Sequence, residues 1–241
     1  MKKSPIFASL AVALALTLVA GKSACEAQSI DVSARVDITQ QGKHDAHPRT
    51  SNVVVWLTPL QDGIAARVPT KPQEFTLAQK DKQFKPHLLV VPTGSSVNFP
   101  NLDPYFHNVF SLFNGKRFDL GLYQGHSHHA VQFDREGISF IFCNIHPDMG
   151  AVVVSLSTPY YAISSPDGSI LIRSVPPGKY KLSVWAENVS ADSLNKMTRD
   201  IEINSQNSQL GTLKLLANED IIHGHLNKYG EPYEPATTTP Y

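Results

Sequence analysis

Turn signals break this chain so often that few stretches are left for a helix. Pro92-Thr-Gly94, Asp134-Arg-Glu-Gly137, Ser165-Pro-Asp-Gly168 and Val175-Pro-Pro-Gly178 combine residues that fix φ, tolerate positive φ or hydrogen-bond their own backbone. Between them lie short segments rich in β-branched and aromatic residues. Val32, Ala34, Val36 and Ile38 alternate with polar neighbours, the period of a half-buried strand. Asn52 to Leu57, His87 to Val91, Ser96 to Phe99, Phe118 to Tyr123, Ala130 to Phe133, Ile138 to Phe142 and Ala151 to Leu156 are further strand candidates. Beyond Ser157, Tyr180, Leu182 and Val184 alternate up to Trp185, and Ile201, Ile203, Leu213 and Leu215 mark later pieces. No internal repeat and no long amphipathic helix is present. Segments this short and this closely spaced predict an all-β sandwich architecture.

At 241 residues the chain can build one large domain or two small ones. Lys and Arg number 21, as do Asp and Glu, so no basic surface is expected and nucleic acid is excluded as a partner. The N-terminus reads as an export signal over residues 1–27. Lys2 and Lys3 are positive, Pro5 to Ala20 is apolar and uncharged, and small residues lead to a cleavage position after Ala27. The apolar run is a little short for a membrane anchor. A lipid anchor on Cys25 is disfavoured by Lys22, which stands where such signals carry a bulky apolar residue. The expectation is a periplasmic protein with no stable membrane insertion once the signal is removed.

Cleavage there would leave Cys143 as the single cysteine. An idle thiol in an oxidising compartment is a liability, so metal coordination is a natural use for it. The segment Cys143-Asn-Ile-His146-Pro-Asp-Met149 supports that use, because it sets a thiolate, an imidazole and a thioether in one short loop between two apolar strands. A second imidazole has to come from elsewhere. His107 is the candidate, in Asp103-Pro-Tyr-Phe-His107-Asn-Val, just after the strand ending near Phe99. Two imidazoles and a thiolate with a weak axial thioether suit copper. Structural zinc prefers four strong ligands, and methionine is a poor fourth.

This pattern resembles the cupredoxins, the type 1 or blue copper proteins, and the Cys-x2-His-Pro-x-Met loop looks most like that of amicyanin. The similarity runs from about Phe84 to Val154. It takes in Pro86, Val97-Asn-Phe99, His107-Asn-Val, the Phe133-Asp-x-x-Gly137 turn and the ligand loop. The resemblance implies a cupredoxin Greek-key β-sandwich holding one copper ion through His107, Cys143, His146 and Met149. It also implies that Asn108 ties the two ligand-bearing segments together, and that electrons pass near His146 beside an apolar patch including Phe106 and Pro147, where a redox partner protein docks. Bacterial proteins of the methylamine-utilisation-like type show the same motif followed by a small β-domain. Residues 157–217 resemble such a domain, the carboxypeptidase-regulatory-like β-sandwich. The expected layout is therefore a copper domain over 28–156 with an N-terminal extension, a small β-sandwich over 157–217 and an extended tail over 218–241. Whether the extension pairs with the copper domain or with the C-terminal unit stays open.

Other histidines carry less. Gly125-His126-Ser-His128-His129 reads as a hairpin turn rich in imidazole and is a secondary candidate for surface metal, as are His44, His47, His223 and His225. His87, Trp56 and Trp185 read as structural. No nucleophile elbow, zinc-protease helix or dinucleotide loop is present, and the additional copper motifs of multicopper enzymes are absent, so no enzymatic activity is expected. The leading expectation is a periplasmic electron carrier. The alternatives are an envelope copper storage or delivery protein, and an interaction module with a structural copper.

Overall fold

The structure is a computed structural model that describes residues 29–40, 50, 52–61, 73–112, 115–217 and 226–233. The chain opens with β1 (Ile30–Gln40) and β2 (Val54–Pro59). A middle group follows: β3 (Glu74–Thr76), β4 (Ala78–Lys80), β5 (Gln83–Lys85), β6 (Leu88–Pro92) and β7 (Ser95–Pro100). It continues with β8 (His107–Ser111), β9 (Phe118–Tyr123), β10 (His128–Phe133), β11 (Gly137–Phe142) and β12 (Gly150–Leu156). The last group is β13 (Tyr161–Ile163), β14 (Ser169–Val175), β15 (Gly178–Trp185), the short helix α1 (Ala191–Met197), β16 (Arg199–Ile203) and β17 (Gln209–Ala217). No helix among the described residues is long and apolar enough to cross a membrane. The all-β expectation holds.

Four main sheets stack in layers. Their strand orders are β14-β1-β17, β13-β2-β15-β16, β6-β12-β11-β8-β9 and β10-β7-β3, with β4 and β5 as a separate ribbon. The first two sheets enclose a core of Val32, Val36, Val55, Leu57, Tyr180, Leu182 and Leu213. The last two enclose another, around Val97, Phe99, Phe133, Ile141 and Val153. The period of two along each strand assigns side chains to these layers. In β12, Val152, Val154 and Leu156 point to a third apolar cluster with Val54 and Trp185, while Ala151 and Val153 face the core that also contains Cys143. Every residue of β12 is buried, which is why Gly150-Ala-Val-Val-Val-Ser-Leu156 reads as one apolar run rather than an alternation.

That third cluster joins the two sandwiches. Trp185 is buried there edge-on to Phe140, with Trp56 packed against the same group. His87 reinforces the joint: Nδ1 lies 3.1 Å from the Gly150 carbonyl and Nε2 lies 2.7 Å from a Glu187 carboxylate oxygen. The structural reading of His87, Trp56 and Trp185 therefore has a specific location, the seam between sandwiches.

Strand pairing redraws the domain layout. β1 lies between β14 and β17, and β2 lies between β13 and β15, so the N-terminal strands are central members of the C-terminal sandwich. The unit expected over 28–156 therefore gives up its first two strands to the unit expected over 157–217. The physical reason is that β13–β17 alone leave a gap in the middle of each sheet, which β1 and β2 fill with Val32, Val36, Val55 and Leu57.

Two smaller expectations also change. The stretch Gly125 to His129 is not a hairpin turn, because β9 and β10 belong to different sheets and His128 and His129 already lie in β10. The connections after β6 and β10 likewise cross between sheets, as in a Greek-key sandwich. The tail is not extended throughout, because Asn227 to Gly230 form a turn closed by the Gly230 N–H on the Asn227 carbonyl at 2.9 Å. The proposed signal over residues 1–27, with Cys25, lies outside the described residues, as do His44, His47, His223 and His225.

Candidate metal centre

The site sits at one end of the sandwich built from β3 to β12. β11 and β12 pair up to Phe142 opposite Gly150, so residues 143–149 form the loop that closes this antiparallel pair. The loop is braced internally. The Cys143 N–H donates to the Met149 carbonyl at 3.1 Å, and the Met149 N–H donates to the His146 carbonyl at 3.0 Å. On the other side of β11, β8 pairs through Phe110 opposite Phe142. His107, the first residue of β8, is thereby brought against the loop.

Three donor atoms converge there. His107 Nδ1 and His146 Nδ1 are 3.1 Å apart, and Cys143 Sγ lies 3.8 Å from the first and 3.5 Å from the second. The centre of such a triangle is about 2.0 Å from every corner, close to ordinary metal–nitrogen and metal–sulfur distances. Among the described residues this is the one grouping of three such donors. His107 and Cys143 are fully buried, and His146 is half-buried. Met149 is buried as well and belongs to the same apolar core as Cys143. The donor set fits a soft or borderline metal ion held in a dry pocket.

Surrounding contacts orient these groups. His107 Nε2 lies 2.8 Å from an Asp103 carboxylate oxygen, leaving Nδ1 to face the other donors. Asp103 also accepts from the N–H groups of Asp81 at 2.8 Å and Lys82 at 3.0 Å, and its own N–H donates to Asn101 Oδ1 at 3.0 Å. Gly125 permits this arrangement, since a β-carbon there would come within 2.2 Å of the Asp103 carbonyl oxygen. The Tyr105 ring sits edge-on to His107, with centroids 5.3 Å apart. The Asn108 backbone N–H acts on the Cys143 thiol to lower its pKa, against the effect of burial. The Asn108 side chain turns away and donates to Asp119 Oδ1 at 2.8 Å.

Electrostatics follow from burial. Desolvation raises the Cys143 thiol above its ordinary value, opposed by the N–H groups of Asn108, Ile145 and His146 on the sulfur. Those N–H groups form a ready cradle for a thiolate once a cation neutralises it. Desolvation, with the neighbouring His107, pushes His146 down to about 4, so its ring is neutral at neutral pH and has a lone pair to offer. Burial also acts to raise the Asp103 carboxyl, but hydrogen bonds from Lys82, His107 and Asp81 outweigh it and hold the group below its usual range.

The structure thus brings His107, Cys143 and His146 together and buries Met149 beside them. It does not gather His126, His128 and His129 around a centre of their own: all three are exposed, and His129 packs edge-on against Tyr123. Asp103 and Tyr105 are functional neighbours that the sequence does not single out. An acid four residues before the candidate histidine is the available signal for Asp103. Leu102, Phe106 and Ile145 are exposed apolar side chains; Ile145 directly precedes half-buried His146 and Phe106, 55% exposed, directly precedes His107. Pro147 is exposed too.

The site is thus a buried His–Cys–His triangle at the loop end of a two-sheet β-sandwich in an all-β chain. No protein-family model matches this chain, and no curated protein matches it. Among solved structures, it is similar to a copper-containing nitrite reductase from Thermus scotoductus SA-01 at 21% identity and TM-score 0.34, over 36% of this chain and 23% of that one. The chain therefore spans less than a quarter of that reductase. It is similar to a purple cupredoxin from Nitrosopumilus maritimus at 22% identity and TM-score 0.31, over 34% of this chain and 98% of that one. A point mutant of amicyanin in its oxidised state aligns at 19% identity and TM-score 0.33, over 34% of this chain and 82% of that one.

Proposed function

We propose that this protein is an exported, periplasmic carrier of single electrons that holds one type 1 copper ion through His107, Cys143, His146 and Met149. The observation that carries the reading is the buried triangle of His107 Nδ1, His146 Nδ1 and Cys143 Sγ, with sides of 3.1 to 3.8 Å. Copper bound there supplies a one-electron couple whose ligand set suits both oxidation states. The chain's own residues do the rest. Asp103 holds the His107 ring, backbone N–H groups stabilise the thiolate, and the apolar core excludes water from the sulfur. Met149, buried and tied by backbone hydrogen bonds to Cys143 and His146, is the proposed weak fourth ligand.

His146 is the more exposed imidazole; its sequence neighbours Ile145 and Pro147 are exposed, and so is Phe106, the residue before His107. These residues mark the proposed docking surface for a redox partner protein. No catalytic role is assigned. The burial of Cys143 and His107 favours a resident ion over a cargo ion, because exchange to an acceptor needs accessible ligands. The test is the visible absorption spectrum after adding one equivalent of copper(II). An intense thiolate-to-copper band, lost on reduction and regained on oxidation, is expected. Its absence sinks the electron-carrier reading, and rapid copper transfer to an acceptor protein without redox change replaces it with the delivery reading.

A further inference from the structure

The described part of the tail, residues 226–233, is folded onto the metal-ligand loop. The Lys228 N–H donates to Asn144 Oδ1 at 2.9 Å, one residue after Cys143. The Lys228 ammonium donates to Asp119 Oδ2 at 2.9 Å, and the other oxygen of Asp119 accepts from Asn108, the residue after His107. The Tyr233 hydroxyl donates to the carbonyl of Cys143 itself at 2.8 Å. One short segment thus reaches both chain stretches that supply donor atoms.

The segment is shaped before it makes these contacts. Asn227 Oδ1 accepts from the N–H groups of Tyr229 at 2.9 Å and Glu231 at 3.0 Å, and the Asn227 N–H donates to the Glu231 carbonyl at 2.9 Å. Gly230 sits at φ +80°, where a side chain would be strained, and Pro232 restricts the backbone just before Tyr233. A turn that orders itself loses little further entropy on docking. An isolated, partly exposed ion pair such as Lys228–Asp119 contributes little by itself. Its significance here is the route it completes, from the tail through Asp119 to Asn108.

We propose that residues 226–233 are a clasp on the metal-ligand loop, with Tyr233 and Lys228 as positioning residues that hold Cys143 and the His107–Asn108 segment in register. For the copper centre this rests on the proposed function, but the clasp can be tested without metal. In metal-free, full-length protein carrying Cys25→Ser, Cys143 is the reporting thiol, and its reaction with an aromatic disulfide reagent measures opening of the loop. The double variant Tyr233→Phe/Lys228→Met is expected to react about tenfold faster, as losing hydrogen bonds of ordinary net strength predicts. The urea unfolding midpoint should stay within error of the parent; Lys228→Met alone should also react faster, whereas Lys228→Arg, which keeps a donor for Asp119, should stay close to the parent's slow rate. An unchanged thiol rate overturns the clasp, and so does an acceleration matched by an equal loss of global stability. In copper-loaded protein, a displaced thiolate band in the double variant supports it further. Absence of any such band in the wild type overturns the copper reading alone, and the thiol rates still decide the clasp.

Discussion

The Asp103 carboxylate and the His107 imidazole, four residues apart, meet at 2.8 Å inside the protein, and this contact fixes which ring nitrogen His107 offers. With Nε2 bonded to the acid, Nδ1 is the nitrogen 3.1 Å from His146 Nδ1 and 3.8 Å from the Cys143 sulfur. Asp103→Ala removes that restraint and leaves the N–H groups of Asp81 and Lys82 without their acceptor. Copper affinity is expected to fall about 10- to 100-fold, the usual effect of losing a group that orients a ligand. Competition against a chelator of known affinity measures it. Asp103→Asn keeps one acceptor oxygen and should lose less; equal affinity in wild type and Asp103→Ala would contradict the positioning role.

Cys143→Ser separates the site from the fold. The serine hydroxyl is smaller than the thiol and can both donate and accept, so it fits the buried position of the sulfur. The thiolate band should disappear while circular dichroism and the unfolding midpoint stay near wild type. Loss of the whole fold would show that the thiol is chiefly a packing element.

The ligand loop is legible in the sequence because it is local. Cys143, His146 and Met149 lie within one turn-forming segment, and the strands on either side read as apolar runs. The partner of β1 is not legible. Alternation of Val32, Val36 and Ile38 says that one face is buried, but many sheets could bury it, and the pattern carries no address. β8 is hidden for the opposite reason: all five residues from His107 to Ser111 are buried, so no alternation marks the strand. Asp103 looks like any acid in a Pro-containing turn until the chain folds it against His107. The stretch 226–233 looks like polar tail, because its hydrogen bonds run to Asn144, Asp119 and Cys143, far away in sequence.

The dependence of the C-terminal sandwich on β1 and β2 is directly testable. A peptide comprising residues 157–217 lacks an inner strand of each of its sheets and the core residues those strands supply. It should be unfolded by circular dichroism, with exchange-labile amides throughout. In the full chain, Val36→Ala deletes buried methyl groups at the centre of that core. The expected cost is about 2 kcal/mol, measured by urea unfolding. A folded 157–217 peptide would show instead that β1 and β2 only decorate the sandwich.

A pH effect is expected at the turn that fastens β14 to β1. The Asp167 carboxylate accepts from the Ser169 hydroxyl at 2.7 Å, the Ser165 hydroxyl at 2.7 Å and the Ser169 N–H at 3.1 Å. The Ser169 hydroxyl is the largest of the influences that hold the carboxyl well below the usual carboxylate range. The same turn accepts from β1, through the Val36 N–H on the Gly168 carbonyl at 2.7 Å. A carboxyl with a depressed value in the folded state binds its proton more readily when unfolded. Its stabilisation is therefore complete above the unfolded value of about 3.9 and lost as pH falls through the folded one. Asp167→Ala should lower stability at pH 7, and the gap to wild type should narrow progressively below about pH 4. Urea unfolding of both proteins at about pH 7 and about pH 3 measures the gap. Because the group is exposed, added salt should also reduce it at pH 7. A gap of the same size at both pH values would assign the effect to the turn's backbone geometry, with no contribution from the charge.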